Sequence, residues 1–369
     1  MDRTKIAWTD ATWNPIRGCS RVSAGCQNCY AEKIAARFHR PGLAYEGLTR
    51  ETANGRVWNG QIELVHEKLD EPLRWKKPRR IFVNSMSDLF HEGVPDSFID
   101  KVFAVMALSP QHTFQILTKR PERMCKYLSS PNRPDALDEG AAFSPLRNVW
   151  LGVSTENQET ADERIPLLLQ TPAAVRFVSA EPLLGAIDFR DSLKGNLTRH
   201  MRADVEGMIR HRSFDALQHD DGRPMTRHEA EDELFRLHAR GVQYIPVSEE
   251  CDGFDPQDGC PGHRKEGLDW VIAGGESGPG ARPCDINWIR SIVAQCRDTG
   301  IPAFVKQLGA HAYEAHGEMD FCCPDHQDHL GKCPIGRLDP DGITRPFRSS
   351  KADDPSEWPE DLRVQEFPS

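Results

Sequence analysis

The sequence predicts an α/β fold: an incomplete (β/α) barrel of the TIM type, with a polar insertion and an irregular C-terminal tail. Three observations predict it. Short, wholly apolar, β-rich runs recur along the chain, as expected of parallel strands buried on both faces. Stretches with helical periodicity lie between several of them. Most runs also end in a polar cluster. That suits a barrel, where functional groups gather at the carboxyl ends of many strands. An open doubly wound sheet concentrates them at one switch point.

A first strand is expected within Thr12 to Ile16. Arg80-Ile81-Phe82-Val83 then leads into Asn84-Ser85-Met86-Ser87-Asp88, and Phe114-Gln115-Ile116-Leu117 into Thr118-Lys119-Arg120-Pro121. Val149 to Val153 leads into Ser154-Thr155-Glu156-Asn157, and Val175 to Val178 into Ser179-Ala180-Glu181-Pro182. Trp270 to Ala273 leads into Gly274-Gly275-Glu276-Ser277-Gly278, and Ala303 to Val305 into Lys306-Gln307. Pro95 to Leu108 carries Phe98, Val102, Phe103 and Met106 at helical spacing, with Ser97 or Asp96 as cap. Asn287 to Asp298 carries Ile289, Ile292, Val293 and Cys296 likewise.

Residues 1–190 are therefore read as the first part of the barrel and 268–309 as its last part. The rhythm breaks over 191–267, a polar segment rich in His, Arg and Asp. It contains a predicted helix, Thr226 to Arg240, with Glu229 completing a capping box. The tail, 310–369, is polar and Pro-rich with a Cys/His-rich segment.

Composition narrows the class. The chain has 369 residues, 38% hydrophobic and 28% charged, enough for a sizeable core with a solvated surface. It has no apolar run of about 18 residues and no apolar signal core after Met1, so a cytoplasmic protein without a membrane partner is expected. Eleven cysteines in such a compartment point to thiols or metal ligands rather than disulfides. The net charge of −10 argues against a protein coated in nucleic acid. Two basic patches remain, one at Arg74, Lys76, Lys77, Arg79 and Arg80, the other at Lys119, Arg120 and Arg123, with solvated surface charge as the competing account.

The sharpest motif is Cys19, Cys26 and Cys29, spaced C-x6-C-x2-C. Three thiolates without a fourth nearby leave a metal centre one ligand short, as a catalytic centre needs. Thiolates suit iron–sulfur clusters, zinc or copper(I), and three cysteines on a cubane leave one iron free for a small molecule. A zinc site completed by a distant ligand, or three unligated thiols, are the alternatives. A helix from Tyr30 to Phe38 would put Cys26 and Cys29 at or just before its N-terminus, where the dipole stabilises thiolates.

Strand-end residues supply further candidates. Gly274 and Gly275 let backbone approach a ligand, Glu276 can accept from an amine or ribose hydroxyl, and Arg282 can pair with a carboxylate or phosphate. Ser154, Glu156 and Asn157 are candidate cofactor-binding residues, with helix capping the alternative for Glu156 and Asn157. Asp88, His91, Lys119 and Glu181 are the candidate catalytic residues, and Lys306 also suits an anionic substrate. A late set, Cys251, Cys260 and His263 with Cys322, Cys323, His326, His329 and Cys333, forms a candidate second metal site for zinc ahead of an auxiliary cluster, with reduced surface thiols and solvated histidines as the competing account. Cys125, Cys284 and Cys296 are read as structural.

These blocks carry a resemblance. The segment Trp8-Thr9-Asp10-Ala11-Thr12-Trp13-Asn14-Pro15 through Cys19, Cys26 and Cys29-Tyr30-Ala31-Glu32 resembles the opening of a phage-associated family of radical-SAM-like proteins with a three-Cys motif. The likeness continues through Asn84 to His91, Leu117 to Pro121, Gly152 to Asn157, Ser179 to Gly185 and Gly274 to Gly278. It covers residues 6 to about 309 in order. The first gap is longer than the C-x3-C-x2-C commonest in that superfamily.

The resemblance implies a [4Fe-4S] cluster on Cys19, Cys26 and Cys29, with S-adenosylmethionine chelating the fourth iron. Reductive cleavage of that cofactor would start radical chemistry on a substrate, with a nucleic acid or nucleotide as the candidate class. It also implies an electron donor and a phage-encoded or neighbouring protein as partners. A zinc-dependent barrel hydrolase and a non-catalytic iron–sulfur or zinc accessory protein are the competing functions. Barrel hydrolases mostly use His and carboxylate ligands, which counts against the former.

Overall fold

A computed structural model of the chain describes residues 4, 6–130, 145–190, 192, 267–278, 280–315, 332–338, 344–345, 347–349 and 351–368. The fold is mixed α/β. Seven parallel strands, β1 (Ala11–Trp13), β2 (Arg80–Val83), β3 (Thr113–Thr118), β4 (Val149–Ser154), β5 (Val175–Ala180), β6 (Trp270–Gly274) and β7 (Ala303–Gln307), lie side by side in chain order. The sheet curls into a half-barrel, and β1 and β7 stand at its two edges. Six of the seven fall on the apolar runs, β1 overlaps the expected first strand at Thr12 and Trp13, and the sheet forms a partial α/β barrel.

β1 is shorter than expected, because Pro15 has no N–H for the ladder. Beyond it Ile16–Arg17 leaves the sheet and pairs antiparallel with Glu63–Leu64. Helices α1 (Tyr30–Ala35) and α2 (Asp96–Ala107) follow β1 and β2, α3 (Pro121–Leu128) and α4 (Gln158–Gln170) follow β3 and β4, and α5 (Ile286–Thr299) joins β6 to β7. The cap expected from Ser97 or Asp96 is absent. Pro95 holds the N-cap position of α2, and the Asp96 carboxylate instead pairs with Arg123 at 2.8 Å. In α5, Asp285 caps the start by accepting from the Asn287 amide, and Gly300 ends the helix in the left-handed region at φ 69°. Its apolar face, Ile289, Ile292, Val293 and Cys296, is buried as the spacing predicts.

Alternate residues of the strands face the concave side and fill its lower part with aromatic rings. Phe82, Phe177, Trp270, Ile272 and Phe304 form one buried cluster with Trp8, and Leu117, Trp150 and Phe367 pack against it. Trp8 and Phe82 lie 4.7 Å apart between ring centroids, and Phe177 and Trp270 5.7 Å. Gly152 sits opposite Phe177 in the β4–β5 register, and a Cβ there would stand 2.5 Å from ring atoms. The glycine therefore makes room for the ring. Burying each large apolar side chain contributes roughly 1.5–3 kcal/mol, so this plug is a main source of stability. A cavity lies at the carboxyl ends of the strands.

The β7 edge does not stay open. Val305 N–H donates to Val364 at 2.8 Å and Glu366 N–H to Ala303 at 2.9 Å, so a C-terminal segment pairs antiparallel along it. Phe367 follows and packs on Trp270 and Phe304. Elsewhere in the tail, Ala312–Ala315 joins Cys284–Asp285 and Lys332–Pro334 in a small sheet. Contacts along the chain define one compact unit of Met1–Arg190 with Leu268–Ser369, and a second of Asp191–Gly267. The predicted helix Thr226 to Arg240 lies outside the described residues. Among the described residues no helix is long and apolar enough to cross a membrane.

Candidate functional site

The three-cysteine loop lies at the carboxyl ends of the strands. It leaves the small Ile16–Arg17 strand at Gly18, where a φ of 90° and the Gln61 carbonyl, 2.1 Å from where a Cβ would stand, require glycine. Cys26 ends a short 3-10 turn, Ala24–Cys26, and Cys29 is the N-cap residue of α1, as the sequence suggests. Cys19, Cys26 and Cys29 are free thiols that all line one cavity of ≈ 250 Å³. Among the described residues lining it there is no fourth Cys and no His.

Strand-end side chains hold this loop in place. Glu156, after β4, is 1% exposed and accepts from Ser23 Oγ at 2.7 Å. It also pairs with Arg164 at 3.2 Å and stands 3.9 Å from Lys119 Nζ. A Cβ on Gly25 would overlap its carboxylate, so loop and carboxylate are in close contact. Glu276, after β6, accepts from Asn28 Nδ2 at 2.9 Å and pairs with Arg282 at 2.6 Å. Arg282 Nη1 in turn donates to the Ala24 carbonyl at 2.9 Å. Burial alone would raise the Glu276 carboxyl, but the bonds from Arg282 and Asn28 outweigh it and hold the group below its ordinary value.

On the other side, Arg120 donates to Ser20 Oγ at 2.7 Å and to the Ser20 carbonyl at 3.1 Å. It pairs with Asp88 at 3.2 Å and with Glu92 at 3.0 Å, and its Nη1 is 3.9 Å from Cys19 Sγ. Asp88 also accepts from Thr118 Oγ1 at 2.8 Å, while His91 Nε2 meets Ser20 Oγ at 2.9 Å. Burial, then the charge of Arg120, holds the His91 imidazole below its ordinary value, favouring the neutral ring. Burial also pushes the Cys19 thiol up to about 12 and raises Cys29, while Arg120 and Lys119 pull against it.

The residues singled out in the sequence thus divide. Cys19, Cys26, Cys29, Asp88, Lys119, Ser154, Glu181, Gly275 and Glu276 come together around the cavity. His91, Glu156 and Arg282 support the loop beside it. Asn157 is the N-cap of α4 in a full capping box, the alternative left open for it. Gly274 allows a close approach: a Cβ there would stand 2.7 Å from the Glu181 carboxylate. Glu181 pairs with Lys306 at 3.1 Å, and both face the cavity.

Asn84 was not among the expected site residues. It is 3% exposed, lines the cavity, has a φ of 59°, and neither atom of its side-chain amide has a partner. The signal in the sequence was its place directly after the apolar run that ends at Val83. In the late Cys/His set, Cys251, Cys260, His263, Cys322, Cys323, His326 and His329 lie outside the described residues. Only the backbone of Cys333, in Lys332–Pro334, falls within them. Among the described residues, no group of three or more His, Cys, Asp or Glu side chains is arranged to hold a metal ion.

Fold and mouth together define a parallel α/β half-barrel protein with a three-thiol loop clamped over its open end. A family model described as "Protein of unknown function (DUF5131)" matches residues 3–346, and the chain belongs to that family. No curated protein and no solved structure matches the chain.

Proposed function

We propose that this chain is an iron–sulfur enzyme of the radical S-adenosylmethionine type, acting on a nucleic-acid or nucleotide substrate. The observation that carries the reading is the convergence of Cys19, Cys26 and Cys29 on one strand-end cavity that also holds Glu181 and Lys306. The donor set fits such a group. Three thiols line the cavity, with no fourth Cys and no His among the described residues lining it. A cubane takes each cysteine on a different iron and leaves the fourth iron for a chelating cofactor. When bound, the cluster supplies the electron that splits S-adenosylmethionine.

The chain's own residues do the rest. Cys19, Cys26 and Cys29 would be the ligands, released from their protons on binding despite the burial that raises two of them. Arg120 and Lys119 offset the negative charge gathered there. Arg120 also fixes the Ser20 backbone, while Glu156 and Glu276 keep the rest of the loop seated. Glu181 and Lys306 offer an acceptor and a cation to a polar substrate. Trp8 and Phe82, packed on each other, give the cavity an apolar part of its lining.

The test is anaerobic purification, assay of iron, sulfide and zinc, and reduction with S-adenosylmethionine present. About four irons per chain and release of 5′-deoxyadenosine are expected. Cys26→Ala should abolish iron binding. Zinc alone, with no iron after anaerobic reconstitution, overturns the reading in favour of a zinc protein. A cluster without cofactor cleavage favours a non-catalytic role.

A further inference from the structure

The cavity contains a polar group that the loop does not use. The backbone turn around Asn84 is hydrogen-bonded, yet its side-chain amide has no partner. Asn84 N–H donates to the Trp13 carbonyl at 2.8 Å, and its carbonyl accepts from Ser87 N–H at 3.2 Å. In the same turn, Ser85 Oγ and Met86 N–H both donate to Asn14 Oδ1, at 3.2 and 3.0 Å, and Ser87 Oγ donates to the Ile16 carbonyl at 2.9 Å. These bonds hold Asn84 at its positive φ, a conformation that Asn tolerates better than most residues. Both polar atoms of the side chain are buried and unpartnered. Leaving such a group unpaired destabilises a fold, and exceptions collect at sites that bind something.

We infer that the Asn84 amide reads the edge of a nucleobase seated in this cavity. A side-chain amide presents one donor and one acceptor in a plane. It therefore matches an edge with the complementary acceptor and donor, as adenine offers at N7 and N6. The surroundings suit a flat, partly apolar ligand. Phe82 lies two residues earlier in β2, Trp8 packs on Phe82, and both residues line the cavity with Tyr30 and Met86. Aromatic faces are sequence-tolerant platforms for bases, so the amide supplies discrimination and the rings supply affinity. Lys306 adds a cation within the same cavity for an attached phosphate or carboxylate. The base belongs either to a substrate nucleotide or to the adenosyl part of a cofactor. The inference rests on the cavity and not on iron.

The experiment is calorimetric titration of adenosine, guanosine, cytidine, uridine and S-adenosylmethionine into the full chain, as purified anaerobically and after removal of metal by a chelator. Two variants keep the backbone conformation accessible. Asn84→Gly removes the amide at a positive φ that glycine adopts freely, and Asn84→Asp keeps the shape but offers two acceptors. Wild type should bind adenosine, and Asn84→Gly should weaken that binding roughly ten- to hundred-fold, the range of one bidentate base contact. Asn84→Asp should move preference toward guanosine, whose N1–H and N2–H present two adjacent donors. Competition between adenosine and S-adenosylmethionine assigns the base to the cofactor, and simultaneous binding assigns it to a substrate. No saturable binding of any of the five compounds to wild type, or adenosine binding to Asn84→Gly equal to wild type, overturns the inference. Adenosine binding by a chain that never takes up iron would leave it standing while the iron–sulfur reading fell.

Discussion

Arg120 Nη1 stands 3.9 Å from Cys19 Sγ, and the same guanidinium holds Asp88, Glu92 and both oxygens of Ser20. One buried side chain thus connects the end of β3 to the first cysteine and to the turn after β2. The fork geometry does what an ammonium could not, since each nitrogen meets a different partner. Arg120→Ala would leave Asp88, 6% exposed, without its counter-charge. A loss of about 3–5 kcal/mol is expected, the usual cost of breaking a buried pair from one side. Arg120→Lys should recover only part of it. Urea denaturation of the three proteins measures this, and an alanine variant as stable as wild type would contradict the assigned network.

Gly25 and Glu156 make a second contact of the same kind. A methyl group at residue 25 has no room unless the carboxylate moves, and Arg164 with Ser23 holds that carboxylate in place. Gly25→Ala should therefore displace the loop while the barrel stays folded. The expected readout is at least a two-fold fall in iron taken up on anaerobic reconstitution, with little change in the thermal midpoint. Gly185→Ala is the control, because its Cβ would meet only Asn157 Cβ at an ordinary 3.5 Å. Equal iron uptake by both variants would show that the Gly25 contact does not position the cysteines.

Six of the seven strands were legible because each is a mostly apolar run with no competing helical period, β1 was placed only in part, and the position of Cys29 was legible from the helix that follows it. The duties of the strand-end carboxylates were not. Glu156 finds Ser23 across 133 residues of chain and Asn28 finds Glu276 across 248, and only the curl of the sheet brings them together. A carboxylate after a strand reads the same whether it binds a ligand or clamps a loop. Asn84 shows the converse. Its place at the end of β2 could be read from the apolar run, but the want of a partner depends on how Asn14 and Trp13 satisfy the rest of the turn.

The clamp at Glu276 should respond to acid. Its carboxyl is held below the ordinary value in the folded chain, so its ionised form binds Arg282 and Asn28 more favourably than water does. That stability is fully present above the unfolded pKa, near 4.5, and is lost as pH falls through the lower folded value. Glu276→Gln lacks the linkage. Wild type should exceed the variant in urea midpoint at about pH 7, and the gap should narrow steadily once the pH drops below the ordinary carboxylate range. A gap of constant size down to about pH 3 would mean that the ion pair contributes nothing to folding.

Gly152 and Phe177 make the last prediction, and it concerns the plug beneath the site. They face each other across β4 and β5, and the ring occupies the space a Cβ at residue 152 would need. Gly152→Ala should cost about 1–3 kcal/mol through overpacking. Phe177→Ala should cost about 3–5 kcal/mol through lost burial and a cavity. The two losses should not add. With the ring gone, the alanine at 152 enters empty space, so the double variant should be no less stable than Phe177→Ala alone, and slightly more stable if the methyl fills part of the void. Urea denaturation of the four proteins closes the cycle. Strict additivity would mean that backbone strain, and not the Phe177 ring, excludes a side chain at 152, and the tight register of the aromatic floor would then rest on the strands themselves.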